Sequence, residues 1–184
     1  MPILGIMASQ ISGHLIPPSS FYSIATASPS GVSTITFSSI PGTYKSLQIR
    51  ISAVVTSAGQ DIYTQFNGDT TSGNYRNHGL WGNGSSAGAS VAGPNSSLYA
   101  AQGWVIGTVT TYPNVSVIDI IDYASTTKNK TQRYFSGAND NTTTNGSVEL
   151  SSGFWMSTSA VTSITVYTGS TFSAGTSIAL YGVL

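Results

Sequence analysis

The clearest alternation in the chain runs through residues 47–55. Leu47, Ile49, Ile51, Ala53 and Val55 fall on one face, and Gln48, Arg50 and Ser52 on the other. A period of two is the mark of a half-buried strand. Shorter versions occur at 34–37 and 61–66, and Pro41-Gly42 supplies a turn before the long run. Further strands are predicted at 104–110, 115–123, 131–135, 147–156, 164–168 and 177–183. Tyr112-Pro113, residues 124–129, Asn145-Gly146, Gly169-Ser170 and Gly175 separate them. No segment holds a helical period through three turns.

This spacing predicts an all-β fold: an antiparallel β-sandwich, in its simplest form a jelly roll, over residues 20–184. An immunoglobulin-type sandwich needs fewer strands and a shorter chain. No repeat of fixed period points to a propeller or a β-helix.

Two segments depart from simple alternation. In 115–123, Val117, Ile121 and Tyr123 are read on one face, and Ile118 and Ile120 on the other. A strand apolar on both faces is covered on both, so the second face calls for a loop, an arm or a neighbouring subunit. Residues 1–19 carry apolar side chains without a stable period and end at Pro17-Pro18. They are read as an extended N-terminal arm that docks on a partner through Ile3, Leu4, Ile6, Ile11 and Leu15. Their start has no basic region, which argues against an export signal.

The stretch NYRNHGLWGNGSSAGAS, residues 74–90, matches two enzyme fingerprints. Gly84 to Gly88 fits G-x-S-x-G, but both histidines, His14 and His78, precede Ser86, and no helix is predicted after it. Gly82 to Ala87 fits a dinucleotide loop, yet no acidic residue lies between Asp69 and Asp119. The stretch is read as a long loop whose first part is structured. Its Tyr75, Arg76, His78 and Trp81 are candidates for a subunit interface or a glycan-stacking surface, weighed against an ordinary place for the aromatics in the core.

Composition narrows the chemistry. Only 7% of the 184 residues are charged, against about 25% in ordinary domains, and six basic residues cancel six acidic ones. No basic stripe is available to neutralise a nucleic-acid backbone. No apolar run is long enough for a transmembrane helix. Cysteine is absent, so disulfides and thiolate sites are excluded. Ser and Thr supply 54 residues, giving a neutral polar surface suited to packing beside copies of itself. Two distant histidines offer no zinc spacing, and Asn139-Asp140-Asn141 is read as a polar hairpin loop rather than a calcium site. With so few titratable groups, no catalytic residue and no cofactor is predicted. One structural ion pair is expected across the hairpin joining 115–123 to 131–135: Arg133 with Asp122, or with Asp119, Asp122 being favoured by register and Lys130 the rival partner.

Four stretches together carry a family resemblance: MPILGIMASQISGHL, FYSIATASPSGVSTITFSSIPGTYKSLQIRI, QFNGDTTSGNYRNHGLWGNGSS and SITVYTGSTFSAGTSIALYGVL. Together they resemble small virion structural proteins of tailed bacteriophages, cyanophages among them. That resemblance implies a jelly-roll-like capsid decoration (cement) protein or tail-fibre component; the leading expectation is a decoration protein that forms a homotrimer on the capsid surface and binds the major capsid protein. The alternative it leaves open is a tail-fibre component that binds a host glycan or receptor.

Overall fold

The computed structural model describes residues 20–101, 112–139 and 146–184. The arm at 1–19 with its five anchors, the expected strand at 104–110 and most of Asn139-Asp140-Asn141 lie outside these residues.

Among the described residues, twelve strands form two antiparallel sheets. They are β1 (Phe21–Ala27), β2 (Thr34–Phe37), β3 (Ser46–Ala53), β4 (Ile62–Phe66), β5 (Tyr75–Gly82), β6 (Ala87–Asn95), β7 (Leu98–Ala101), β8 (Asn114–Ile121), β9 (Lys130–Asn139), β10 (Gly146–Trp155), β11 (Ile164–Thr168) and β12 (Ser177–Val183). The large sheet has the order β1-β12-β3-β8-β9-β10-β5-β6, and the small sheet β2-β11-β4-β7. The chain passes repeatedly between the sheets, as in a jelly roll. The fold is the all-β antiparallel sandwich that alternation predicts.

The core lies between the sheets. Leu47, Ile49, Ile51, Ile118, Ile120, Ile178 and Leu180 face it from the large sheet. Phe37, Ile62, Phe66, Leu98, Ile164 and Val166 face it from the small one. In β3 the observed burial follows the predicted alternation residue by residue.

One part of the interior is polar, and the reason is the edge of the small sheet. Among the described strands β7 pairs only with β4, and the backbone groups on its other side need partners. The large sheet supplies them from side chains. Asn77 Oδ1 accepts the Tyr99 N–H at 3.1 Å, Gln132 Nε2 donates to the Tyr99 carbonyl at 2.7 Å, and Ser116 Oγ donates to the Ala100 carbonyl at 2.6 Å. Thr64 Oγ1 completes the bridge by donating to Gln132 Oε1 at 2.7 Å.

The stretch 74–90, expected as a long loop structured only in its first part, is strand on both sides of a turn: it lies in the hairpin β5–β6. Its turn is closed by Asn83, whose Oδ1 accepts the N–H groups of Ser85 and Ser86 at 3.1 and 2.8 Å. The small residues of β6 hide its strand character, because they carry almost no alternation to read. β7 escapes prediction for a different reason: only four residues long, it has Leu98, Ala100 and Ala101 all buried.

Candidate interaction surface

The hairpin geometry separates the four residues singled out at 75–81. Tyr75 is fully buried, stacks on Trp155 at 6.2 Å and donates its hydroxyl to the Asp69 carbonyl at 3.0 Å. It is thus the core aromatic that had been weighed as the alternative. Burial pushes its phenol above the ordinary value. Trp81, at the same strand parity, points inward, against Gly88 on the neighbouring strand. Arg76 and His78 have the opposite parity. Arg76 is half-buried and donates to the Gly73 and Tyr75 carbonyls at 2.8 and 3.0 Å. His78 is exposed on the outer face of the large sheet. The four do not form one surface, because alternate residues of a strand face opposite sides.

The ion pair across β8–β9 exists with Asp119 in place of the favoured Asp122. Asp119 is directly opposite Arg133, and Arg133 Nε donates to Asp119 Oδ2 at 3.1 Å. Asp122 sits past the end of β8 with φ of 56° and bonds Lys128 at 3.2 Å. The expected register assumed that the strand reaches residue 123. It stops at Ile121, and the chain turns. Tyr123, expected beside Val117 and Ile121, is buried, and its hydroxyl donates to the Pro41 carbonyl.

Val115, Val117 and Ile121 do form a second apolar face on β8, at 52, 42 and 41% exposure. Register extends it across the sheet. Val117 is opposite Phe135, Phe135 opposite Leu150, Leu150 opposite Leu80, and Leu80 opposite Ala89. An unbroken apolar row therefore crosses five neighbouring strands on the outer side. Phe135 is 57% exposed, Leu150 54% and Leu80 61%. Val148 lies beside this row, and Val91 two residues from Ala89 on β6. The adjacent row is polar: His78, Ser152, Arg133, Asp119 and Gln48 are successive register partners. Gln48 Nε2 donates to Asp119 Oδ1 at 2.9 Å, and Arg50 Nε to Gln48 Oε1 at 2.8 Å. The Arg50 guanidinium lies 4.9 Å from the Phe21 ring and 4.8 Å from Tyr181. A depression of about 700 Å³ lies between the two rows, lined by His78, Leu80, Ile121, Arg133 and Leu150 among others.

Neither enzyme fingerprint has its required setting. Residues 84–88 cross the turn of an antiparallel hairpin, not a strand-to-helix elbow. Among the described residues, no three His, Asp or Glu side chains converge as a metal site. No helix there is long and apolar enough to cross a membrane.

No protein-family model and no curated protein matches the chain. Solved structures resemble it distantly. An engineered family 43 glycoside hydrolase with endo-xylanase and exo-arabinofuranosidase activity aligns at 16% identity and TM-score 0.42, over 89% of this chain and 36% of that one. The chain thus spans about a third of that enzyme. The CBM40 module of a Ruminococcus gnavus sialidase aligns at 14% identity and TM-score 0.34, covering 88% and 94% of the two chains. A family 14 alginate lyase from Aplysia kurodai aligns at 8% identity and TM-score 0.32, covering 95% and 94%. Likeness at this level establishes no activity for this chain.

Proposed function

We propose that the protein is a non-enzymatic structural component of a phage virion, a capsid decoration protein that packs the outer face of its large sheet against other protein. The observation that carries this reading is the exposed apolar row Val117–Phe135–Leu150–Leu80, bordered by one polar row that holds the Asp119–Arg133 pair. Contiguous exposed apolar groups of this kind mark protein interfaces. Low charge removes the self-repulsion that would keep copies apart. Arg133 and Asp119, at the margin of the row, would set orientation more than strength. In this reading the protein trimerises and binds the major capsid protein, with residues 1–19 as an additional docking arm.

The competing reading is a tail appendage. Location in the virion separates the two: many copies on the head mark a decoration protein, and a few at the tail mark an appendage. The surface itself is tested with Phe135→Asp and Leu150→Asp. Each places a charge in the row without touching the core. Sedimentation of the wild type should give an oligomer at micromolar concentration, and both variants should be monomeric and absent from purified particles. A monomeric wild type, or variants that occupy particles normally, would overturn the assignment.

A further inference from the structure

The outer face of the small sheet is built differently. Tyr167 of β11 is opposite Tyr63 of β4, and Tyr63 is opposite Tyr99 of β7. The three rings stand in one row across adjacent strands, with centroids 5.1 Å apart for Tyr63–Tyr167 and 5.2 Å for Tyr63–Tyr99. Their sequence neighbours Ile62, Thr64, Val166, Thr168, Leu98 and Ala100 are buried, so the tyrosines point outward. The next row is Thr36, Thr165 and Gln65. Hydroxyls and an amide thus border the rings, in contrast to the apolar row on the outer face of the large sheet.

The rings and residues Asn95, Ser96 and Ser97 enclose a pocket of about 300 Å³. That is the lower end of the roughly 300–1,000 Å³ range of small-molecule sites. Its wall is fixed in advance. Gln65 Nε2 donates to the Ser96 carbonyl at 2.9 Å. Tyr99 is held at both backbone groups by Asn77 and Gln132. Tyr63 donates its hydroxyl to Asp61 Oδ2 at 2.9 Å. Burial and the Asp61 charge hold that phenol above its ordinary value, so it stays neutral.

We propose that Tyr63, Tyr99 and Tyr167, with the wall at 95–97, form a binding site for a neutral glycan. Aromatic rings offer the apolar C–H surface of a pyranose a partner, and the Tyr99 and Tyr167 hydroxyls stand at its edge while that of Tyr63 donates to Asp61. Asp61, Gln65 and Asn95 place a carboxylate and amides around them. Charge selects the class of ligand. All six basic residues belong to the large sheet or the segments entering its strands, and Asp61 stands beside the rings. None of the residues lining the pocket is basic, so a nucleic acid or an acidic polysaccharide would find no cation in its lining. The site does not depend on head or tail location, and it lies on the sheet that large-sheet docking leaves outward.

The test uses saturation-transfer NMR and calorimetry on the full chain. The probes are the neutral oligosaccharides cellohexaose, mannohexaose, xylohexaose and chitopentaose, with hexaguluronate as the anionic control. At least one neutral probe should bind. Tyr99→Ala, Tyr167→Ala and Asn95→Ala should each weaken binding tenfold or more while circular dichroism stays unchanged. Tyr99→Trp should keep it within a few-fold, and Phe135→Asp should leave it unchanged. No transfer from any neutral probe at millimolar concentration, binding that survives all three alanine variants, or binding of hexaguluronate alone would overturn the proposal.

Discussion

Trp155 donates its indole N–H to the Asp69 carboxylate at 2.7 Å, joining the end of β10 to the loop between β4 and β5. Asn74 Nδ2 donates to the same oxygen at 2.8 Å, and the Thr71 N–H to the other at 2.9 Å. The indole packs edge-on to Phe66 at 5.5 Å and stacks with Tyr75. Desolvation alone would raise the Asp69 pKa. The donors, Trp155 foremost, outweigh it and hold the group at about 2.

A carboxylate depressed in this way stabilises the fold above its unfolded value, near 3.8, and the contribution is lost as pH falls toward 2. Asp69→Asn should therefore cost on the order of 1–2 kcal/mol at pH 7, after allowance for solvent screening. The gap to wild type should close between pH 4 and about 2. Urea titrations across that range check both the size and the direction.

Lys130 is buried, and its Nζ donates to the carbonyls of Ser125 at 2.8 Å, Lys128 at 2.6 Å and Ser157 at 3.4 Å. The ammonium ties the β8–β9 loop to the segment after β10. Lys130→Met keeps the aliphatic stem but leaves these carbonyls without that donor. A loss of roughly 1–3 kcal/mol is expected, with faster amide exchange over residues 122–129. Hydrogen exchange and thermal unfolding measure the two effects.

The Asp119–Arg133 pair is exposed, at 31 and 63%. A double-mutant cycle with Asp119→Asn and Arg133→Gln should give a coupling of about 0.2–1 kcal/mol, weaker in high salt. The same substitutions should slow association with particles more than they destabilise the protein. Stopped-flow binding at two salt concentrations separates the effects.

Gly182 on β12 lies under the Tyr44 ring, which a Cβ there would strike. Tyr44 also stacks with Tyr22 at 6.0 Å, and its N–H donates to the Tyr123 hydroxyl at 3.1 Å. Gly182→Ala should force the ring aside at a cost of roughly 1–3 kcal/mol. Gly175→Ala makes the comparison: its side chain would meet open space, but its φ of +92° strains any L residue. Crowding predicts that Tyr44→Ala rescues Gly182→Ala and does nothing for Gly175→Ala. Chemical denaturation of the single and double variants reads this directly.

Alternation revealed most of the strands in which one face meets the core and the other water, but not β1 or β5. β2, β11 and β12 have the predicted bounds, and β3 and β4 differ by no more than two residues at either end. β6 was hidden because Gly, Ala, Ser and Asn carry little polarity contrast, and β5 because Asn77 and Gly79 stand at its inward positions in place of apolar side chains. The ion pair was visible as a pairing of Arg133 with a β8 aspartate. Its partner turned on where β8 ends, and Asp122 adopts a left-handed backbone there.

The sequence by itself determined the all-β class, the neutral surface, and the two-faced apolar character of β8. All three follow from composition and from a period that each strand carries alone. Only the tertiary structure decided which residues stand side by side. Val117, Phe135, Leu150 and Leu80 come from four strands, and Tyr63, Tyr99 and Tyr167 from three. Inter-strand register aligns each row, and register is set by backbone pairing between segments far apart in the chain.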